Sequence, residues 1–257
     1  MSDAVTPAAL PTPEPAGSDN SFSRIVGVIV SPKPTFASIA ARPTWIVPLI
    51  VMVILSVTTI FIFTQRVGWR AFMIRQNEQS ERVQKQMENM TQEQRDHMLD
   101  TQVKFASKIG YVSGVIGIFI AAAIVAGVLL LGFMVIAGVR PTYKQALGIV
   151  AYSWVGPGII GGLLGILILF LKDPSTVDLN SLVASNVGAF MPDETAKWLK
   201  VLLGSIDLFA FWSMLLMAFG FSAVEPKKLS VGKAFGIVFA LFVFWTLIKT
   251  GFTAAFS

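Results

Sequence analysis

The chain has no cysteine among its 257 residues, which excludes disulfides, thiolate metal sites and cysteine nucleophiles and leaves the redox compartment unmarked. It has one histidine, His97, flanked by Arg95 and Asp96 in a polar stretch where solvation is the expected state. Charge is scarce as well: 14% of residues are charged, against roughly 25% in an average soluble domain. No HExxH, GxSxG or Walker pattern occurs, and no two carboxylates stand at a spacing that would pair them within an apolar helix. Such absences argue against an enzyme. The formal charge is +5, but no soluble segment interleaves basic and aromatic residues as a nucleic-acid surface would. Basic residues in so apolar a chain are expected to face anionic headgroups instead.

What the chain has in abundance is apolar length. Hydrophobic residues make up 54% of it, and a helix needs about 20 of them in succession to cross a bilayer. Five stretches qualify as spans, at about 45–63, 111–139, 146–171, 208–224 and 234–248. All five are expected to be helices, because an isolated strand cannot satisfy its backbone in lipid and no ten-residue alternation of a barrel appears. The predicted fold class is therefore an all-α integral membrane protein built as a bundle of five transmembrane helices.

Residues 1–21 combine prolines, small residues and acids, a composition expected to stay disordered. They show neither the basic start nor the apolar core of a signal peptide, so the first span is expected to remain as the anchor. The stretch 22–44 is apolar but broken by Pro32, Pro34 and Pro43, with Arg24, Lys33 and Arg42 among them. Its halves are too short to cross and are expected to lie at the membrane interface, leading into the first span.

Between the first two spans, residues 65–110 are rich in Gln, Glu, Arg and Met, and Val83, Met87 and Met90 recur at helical spacing. Thr91 and Gln94 form a capping-box pattern that starts a second arm. The prediction is a helical hairpin outside the bilayer, the alternative a solvated charged linker. The connection 172–205 ends in a segment where Pro192, Asp193 and Glu194 suit a helix start, predicting a helix lying in the interface.

Five residues stand out as candidates for structure or interaction. Gly161 and Gly165 form a small-xxx-small pair, as do Gly110 with Gly114 and Gly232 with Gly236, a spacing that lets helix backbones approach. "GPGIIG" at 156–161 has the glycine spacing of a dinucleotide fingerprint but lies inside an apolar span, so no cofactor is expected. Pro157 breaks a helical hydrogen bond, giving either a simple kink or an unwound binding site. Asp207 stands at the start of the fourth span, either as a cap or as a buried contact to Tyr152, Ser153 or a ligand.

Several motifs in order resemble one family. "SPKPTFASIAARPTW" precedes the first span, "GVRPTYKQALGIVAYSWVGPGIIGGLLG" enters the third, "SIDLFAFWSMLLMAFGF" forms the fourth, and a short basic loop leads into the fifth. In this order they resemble the Yip domain family, named for interaction with Ypt/Rab GTPases in vesicle traffic and widespread in bacteria. The resemblance covers about 22–252, with Tyr152 and Pro157 in "AYSWVGP" matching a family signature. It implies five helical spans, a cytosolic amino terminus and, since the eukaryotic "DLYGP"-type motif has no counterpart here, a bacterial inner-membrane member to which Rab binding does not carry over. Charge alone leaves the orientation open, because the segment 65–110 holds eight Lys and Arg, as many as Arg24, Lys33 and Arg42 together with the short basic loops at 140–144 and 225–233. The function expected is a non-enzymatic membrane scaffold or adaptor that binds other membrane proteins or organises lipid locally. The alternative is a small transporter or permease subunit.

Overall fold

A computed structural model describes residues 20–78, 80–177, 179, 182–192 and 194–256. Most of the expected amino-terminal tail lies outside these residues. Its last two positions belong to a helix start: Asn20 caps α1 (Ser21–Val30), its side chain accepting from the Ser23 amide at 2.8 Å. After Ser31, Pro32 opens α2 (Pro32–Ala41) from the first helical position, where a missing N–H costs nothing. The two helices pair, and their inner faces bury Val28, Phe36 and Ile39 completely. Phe22, Val26 and Val30 remain exposed on the outside.

The long helices follow. α3 (Ile46–Arg66) is succeeded, after a left-handed Gly68, by the polar helices α4 (Trp69–Glu78) and α5 (Glu81–Glu88). α6 (Gln92–Val112) starts at the capping box that the Thr91–Gln94 spacing predicts. It continues through a π-helical turn at Ser113–Gly117 into α7 (Ile118–Ala137). α8 (Tyr143–Leu171) carries a second capping box, Thr142 with Gln145. α9 (Lys197–Gly204), α10 (Leu208–Val224) and α11 (Val231–Phe256) complete the chain. α9 begins later than the sequence suggests, after Pro192 and Glu194; Asp193 lies outside the described residues.

Among the described residues, four helices are long and apolar enough to cross a membrane: Ile46–Arg66, the continuous Gln92–Ala137, Tyr143–Leu171 and Val231–Phe256. The fourth expected span, α10, is an apolar helix of 17 residues, about 25 Å at the α-helical rise. The chain after α8 turns back, so that Leu182 and Val183 lie against Gly165 and Phe209 lies against Gly161. From Gly165 to the end of α8 is about 9 Å of helix, the stretch alongside which the returning segment lies.

Contacts define two ends. The proximal end gathers α1, α2, the α7–α8 turn and the α10–α11 loop. There Ser222 donates to the Leu229 carbonyl at 2.7 Å, and the Arg140 amide donates to Glu225. Glu225 also pairs with Lys228 at 2.8 Å. The hydrogen bond from Lys228, followed by that of the Arg140 amide, holds the Glu225 carboxyl below its ordinary range. The distal end gathers α4 to α6 and the segment after α8. Phe63, Trp69 and Phe72 meet edge to face above Leu169 and Val177. Arg75 donates to the carbonyls of Pro174 and Val177, at 3.2 and 3.0 Å. The main core lies between, where α8 packs against α3, α7, α10 and the α1–α2 pair.

Candidate functional site

α8 is the helix on which most of the candidate residues sit, and its amino-terminal half is built to receive the segment before α3. Gln145, besides completing the cap, donates from Nε2 to the Ala40 carbonyl at 2.8 Å. One turn on, Gly148 faces the Thr44 carbonyl so closely that a Cβ there would stand 2.9 Å from its oxygen. The next turn brings Tyr152, a large side chain with no exposure at all.

Tyr152 ends a chain of polar contacts that starts at Arg24. The Arg24 guanidinium, 5% exposed, donates to Thr44 Oγ1 at 3.2 Å. Arginine can only donate, so the Thr44 hydroxyl accepts from it, and it shares a further hydrogen bond with Tyr152 Oη, 3.1 Å away, in which either oxygen can be the donor. Tyr152 in turn donates to the Ser21 carbonyl at 3.5 Å, the outer limit of such a bond. Arg24 also donates to the Arg42 carbonyl at 2.8 Å and to Ser38 Oγ at 2.9 Å. Sequence reasoning placed Arg24 among phosphates, but it turns inward because α2 and the turn after it offer these oxygens. The chain from α1 to α3 is thereby pinned to α8 at both of its ends.

Halfway along α8 the geometry opens. The helix continues through Pro157 without interruption, but proline has no N–H for the Ser153 carbonyl. Ser153 is fully buried, and its Oγ has no hydrogen-bond partner among the described residues. Beside Pro157, a shallow groove of about 330 Å³ runs between α3, α8 and α10, with Met52, Gly158, Gly161 and Phe209 in its walls. A Cβ on Gly161 would touch the Phe209 ring at 3.4 Å, and one on Gly165 would come within 3.1 Å of Leu182. The tightest approaches on this stretch belong to residues that sequence reasoning passed over: Gly158 lies against Met52, and Gly162 against Leu55. Gly158 and Gly162, four residues apart, lie beside Gly161 and Gly165 on the neighbouring face, and the run of five glycines in "GPGIIGGLLG" was the signal available.

Asp207 takes the capping position of α10. Its Oδ1 accepts from the Ala210 amide at 2.8 Å, and its other oxygen accepts from the Ser185 hydroxyl. Backbone bonds from Val187 to Ile206 and from Leu208 to Ser185 complete a small knot. Tyr152 and Ser153 are both absent from the carboxylate's described partners: Tyr152 belongs to the proximal chain of polar contacts, Asp207 to the turned-back segment. Two further features went unread in the sequence. The Thr142–Gln145 box has the same spacing as the predicted Thr91 one, and the π turn, with Gly114 against Ser56 and Ile60, has no sequence periodicity of its own. Among the described residues no three His, Cys, Asp or Glu side chains cluster as a metal site would require.

A family model described as the Yip1 domain matches residues 26–250, nearly the whole chain. No curated protein and no solved structure gives a significant match.

Proposed function

Because the chain belongs to the Yip1 domain family, we propose that it is a non-enzymatic scaffold or adaptor of the bilayer, whose partners are other membrane proteins. The reading starts from a multi-pass integral membrane protein with apolar helices. The observation that carries it is the groove beside Pro157. It is shallow, open and mostly apolar, and although Met52, Leu55 and Phe209 already cover its glycines, the opening between them offers another membrane helix an apolar surface with small residues at its floor. A solute carrier would need a polar path instead, and the transporter reading rests on Pro157 and Ser153 alone.

In this proposal α10 counts as a fifth span completed by the turned-back segment before it, and residues 65–110 form a helical hairpin outside the bilayer. The amino terminus and proximal end face the cytosol of a bacterial cell, across its inner membrane. Tyr152, Gly165 and Asp207 hold the architecture, Pro157 and Gly161 shape the partner face, and neither nucleic acid nor a Rab-type GTPase is a partner.

A photo-crosslinking residue placed at Phe209, and for comparison at Val135 on the exposed outer face of α7, tests the adaptor. We expect one reproducible membrane-protein adduct from position 209 in native membranes and none from 135. Equal labelling at both positions, or substrate-dependent flux through the purified protein in vesicles, overturns the reading.

A further inference from the structure

A second opening lies at the proximal end, between α7 and α11. α7 and α11 touch where a Cβ on Gly132 would run into Leu241 at 2.6 Å. From that crossing toward the loops they diverge and leave a wedge of about 480 Å³. Ile136 and Ala137 form one wall, Gly236 and Ala240 the other, and Leu229 the end of the wedge. A Cβ on Gly236 would meet nothing within 4 Å, and Ile136 is 60% exposed, so the wedge opens sideways to the bilayer.

At its mouth stand Lys228 and Lys233. Lys228 shares Glu225, whereas among the described residues no carboxylate lies within ion-pair distance of Lys233. The surrounding end is strongly basic: segments 31–45, 138–146 and 225–233 together hold Lys33, Arg42, Arg140, Lys144 and Lys227 besides these two lysines, against Glu225 as the one acid.

We propose that this wedge is a binding site for an anionic phospholipid, with one acyl chain between α7 and α11 and the phosphate held by Lys233 and Lys228. The assignment follows from the order of chemistry along the wedge. Its interior offers only apolar and small side chains, so the inserted part must be apolar. Its mouth stands at the start of α11, where a spanning helix meets the headgroups, and both polar side chains there are cations. A zwitterionic lipid fits the walls equally well but brings a compensating cation to the lysines, so charge is the selecting feature. A second protein helix would bury the walls and leave Lys233 unanswered. The site stands whether or not the protein is an adaptor, since it uses neither the groove at Pro157 nor any partner.

The full-length protein in mild detergent, mixed with phosphatidylglycerol or phosphatidylcholine of identical acyl chains, gives the test by native mass spectrometry of retained lipid. We expect phosphatidylglycerol to be retained in preference, and Lys233→Gln to weaken its retention about fivefold, the effect of one lysine near an anionic surface. Gly236→Leu, filling open space, removes retention of the preferred lipid. Glycerol phosphate, which has the headgroup without the chains, does not compete at the same concentration. Equal retention of the two lipids, an unchanged Lys233→Gln variant or displacement by glycerol phosphate overturns the proposal. Lys233 is exposed, so its variant decides the matter even if Gly236→Leu folds poorly.

Discussion

Arg24 and Asp207 show how two charged side chains in an apolar chain come to opposite uses. Arg24 is enclosed by oxygens of α2 and the turn that follows, which replace the water it leaves, and a buried cation persists only with such partners. Asp207 keeps one oxygen on the first free amides of α10 and the other on Ser185. Substituting its charge and substituting its hydrogen bonds should therefore give different results. Asp207→Asn can still accept from the Ala210 amide through its oxygen and can donate from Nδ2 to the Ser185 hydroxyl, which turns to accept, so its cost is expected below about 1 kcal/mol, the range of the helix-dipole effect it loses. Asp207→Leu removes the cap, worth about 0.5–2 kcal/mol, and leaves the Ser185 hydroxyl unanswered at a further cost of about 1–3 kcal/mol. Thermal unfolding in detergent should rank wild type, Asn and Leu in that order, with Leu clearly separated. A Leu variant as stable as Asn would show that Ser185 and the amide find other partners at no cost.

At the scale of elements, α8 is held by close approach rather than by interlocking large side chains. Gly148 is the sharpest case, since the atom facing it is the Thr44 carbonyl oxygen, 2.9 Å from where a Cβ would stand. A side chain could rotate away, but this oxygen belongs to the short turn between α2 and α3 and moves only with its backbone. Gly148→Ala is expected to destabilise by about 1–3 kcal/mol, the usual cost of overpacking. Gly127→Ala on α7, where a Cβ would meet nothing within 4 Å, should instead gain up to about 1 kcal/mol of helix propensity. Denaturation of the two variants side by side checks the contrast, and equal effects would mean that the turn at Thr44 yields. Much of this architecture was legible in the sequence: the apolar runs that became α3, α7, α8, α10 and α11, the Thr91 box, and Pro32 as a helix boundary. What was not legible is which residue meets which. Glycine spacing marks a helix that can be approached, but Gly161 and Gly162 are equivalent in sequence, and only the positions of Leu55 and Phe209 separate them. The inward turn of Arg24 is likewise set by carbonyls contributed from residues 38 and 42, whose geometry no local pattern encodes. Nor does composition reveal that the segment after α8 turns back along it, although α10 itself has the bounds 208–224 that the apolar run indicates.

For the whole molecule, the two ends differ in charge pattern as well as in shape. The proximal end is almost purely basic, with Glu225 as its one acid in the segments that meet there. The distal helices α4 to α6 mix signs, with Arg70 pairing to Asp96 and Asp100. Orientation follows the excess of Lys and Arg in short loops beside the spans, while acids contribute little. By number alone the distal end holds more basic residues, eleven in 65–110 and 172–200 against eight at the proximal end. The decisive difference is where those residues sit. At the proximal end they crowd the short turns at 138–142 and 225–230, directly against helix ends. At the distal end several stand along α5 and the start of α6, several turns away from the apolar part of the continuous Gln92–Ala137 helix. Proximal-end retention in the cytosol is therefore expected. A reporter inserted after Met90 should read as non-cytosolic and one inserted after Lys227 as cytosolic, with fluorescence and phosphatase fusions giving complementary signals at the two sites. Reversing the charge of the short turns by Arg140→Glu with Lys227→Glu should then produce a mixed population. If the Met90 reporter instead lies in the cytosol of the unmodified protein, the lipid wedge keeps its lysines but belongs to the opposite leaflet.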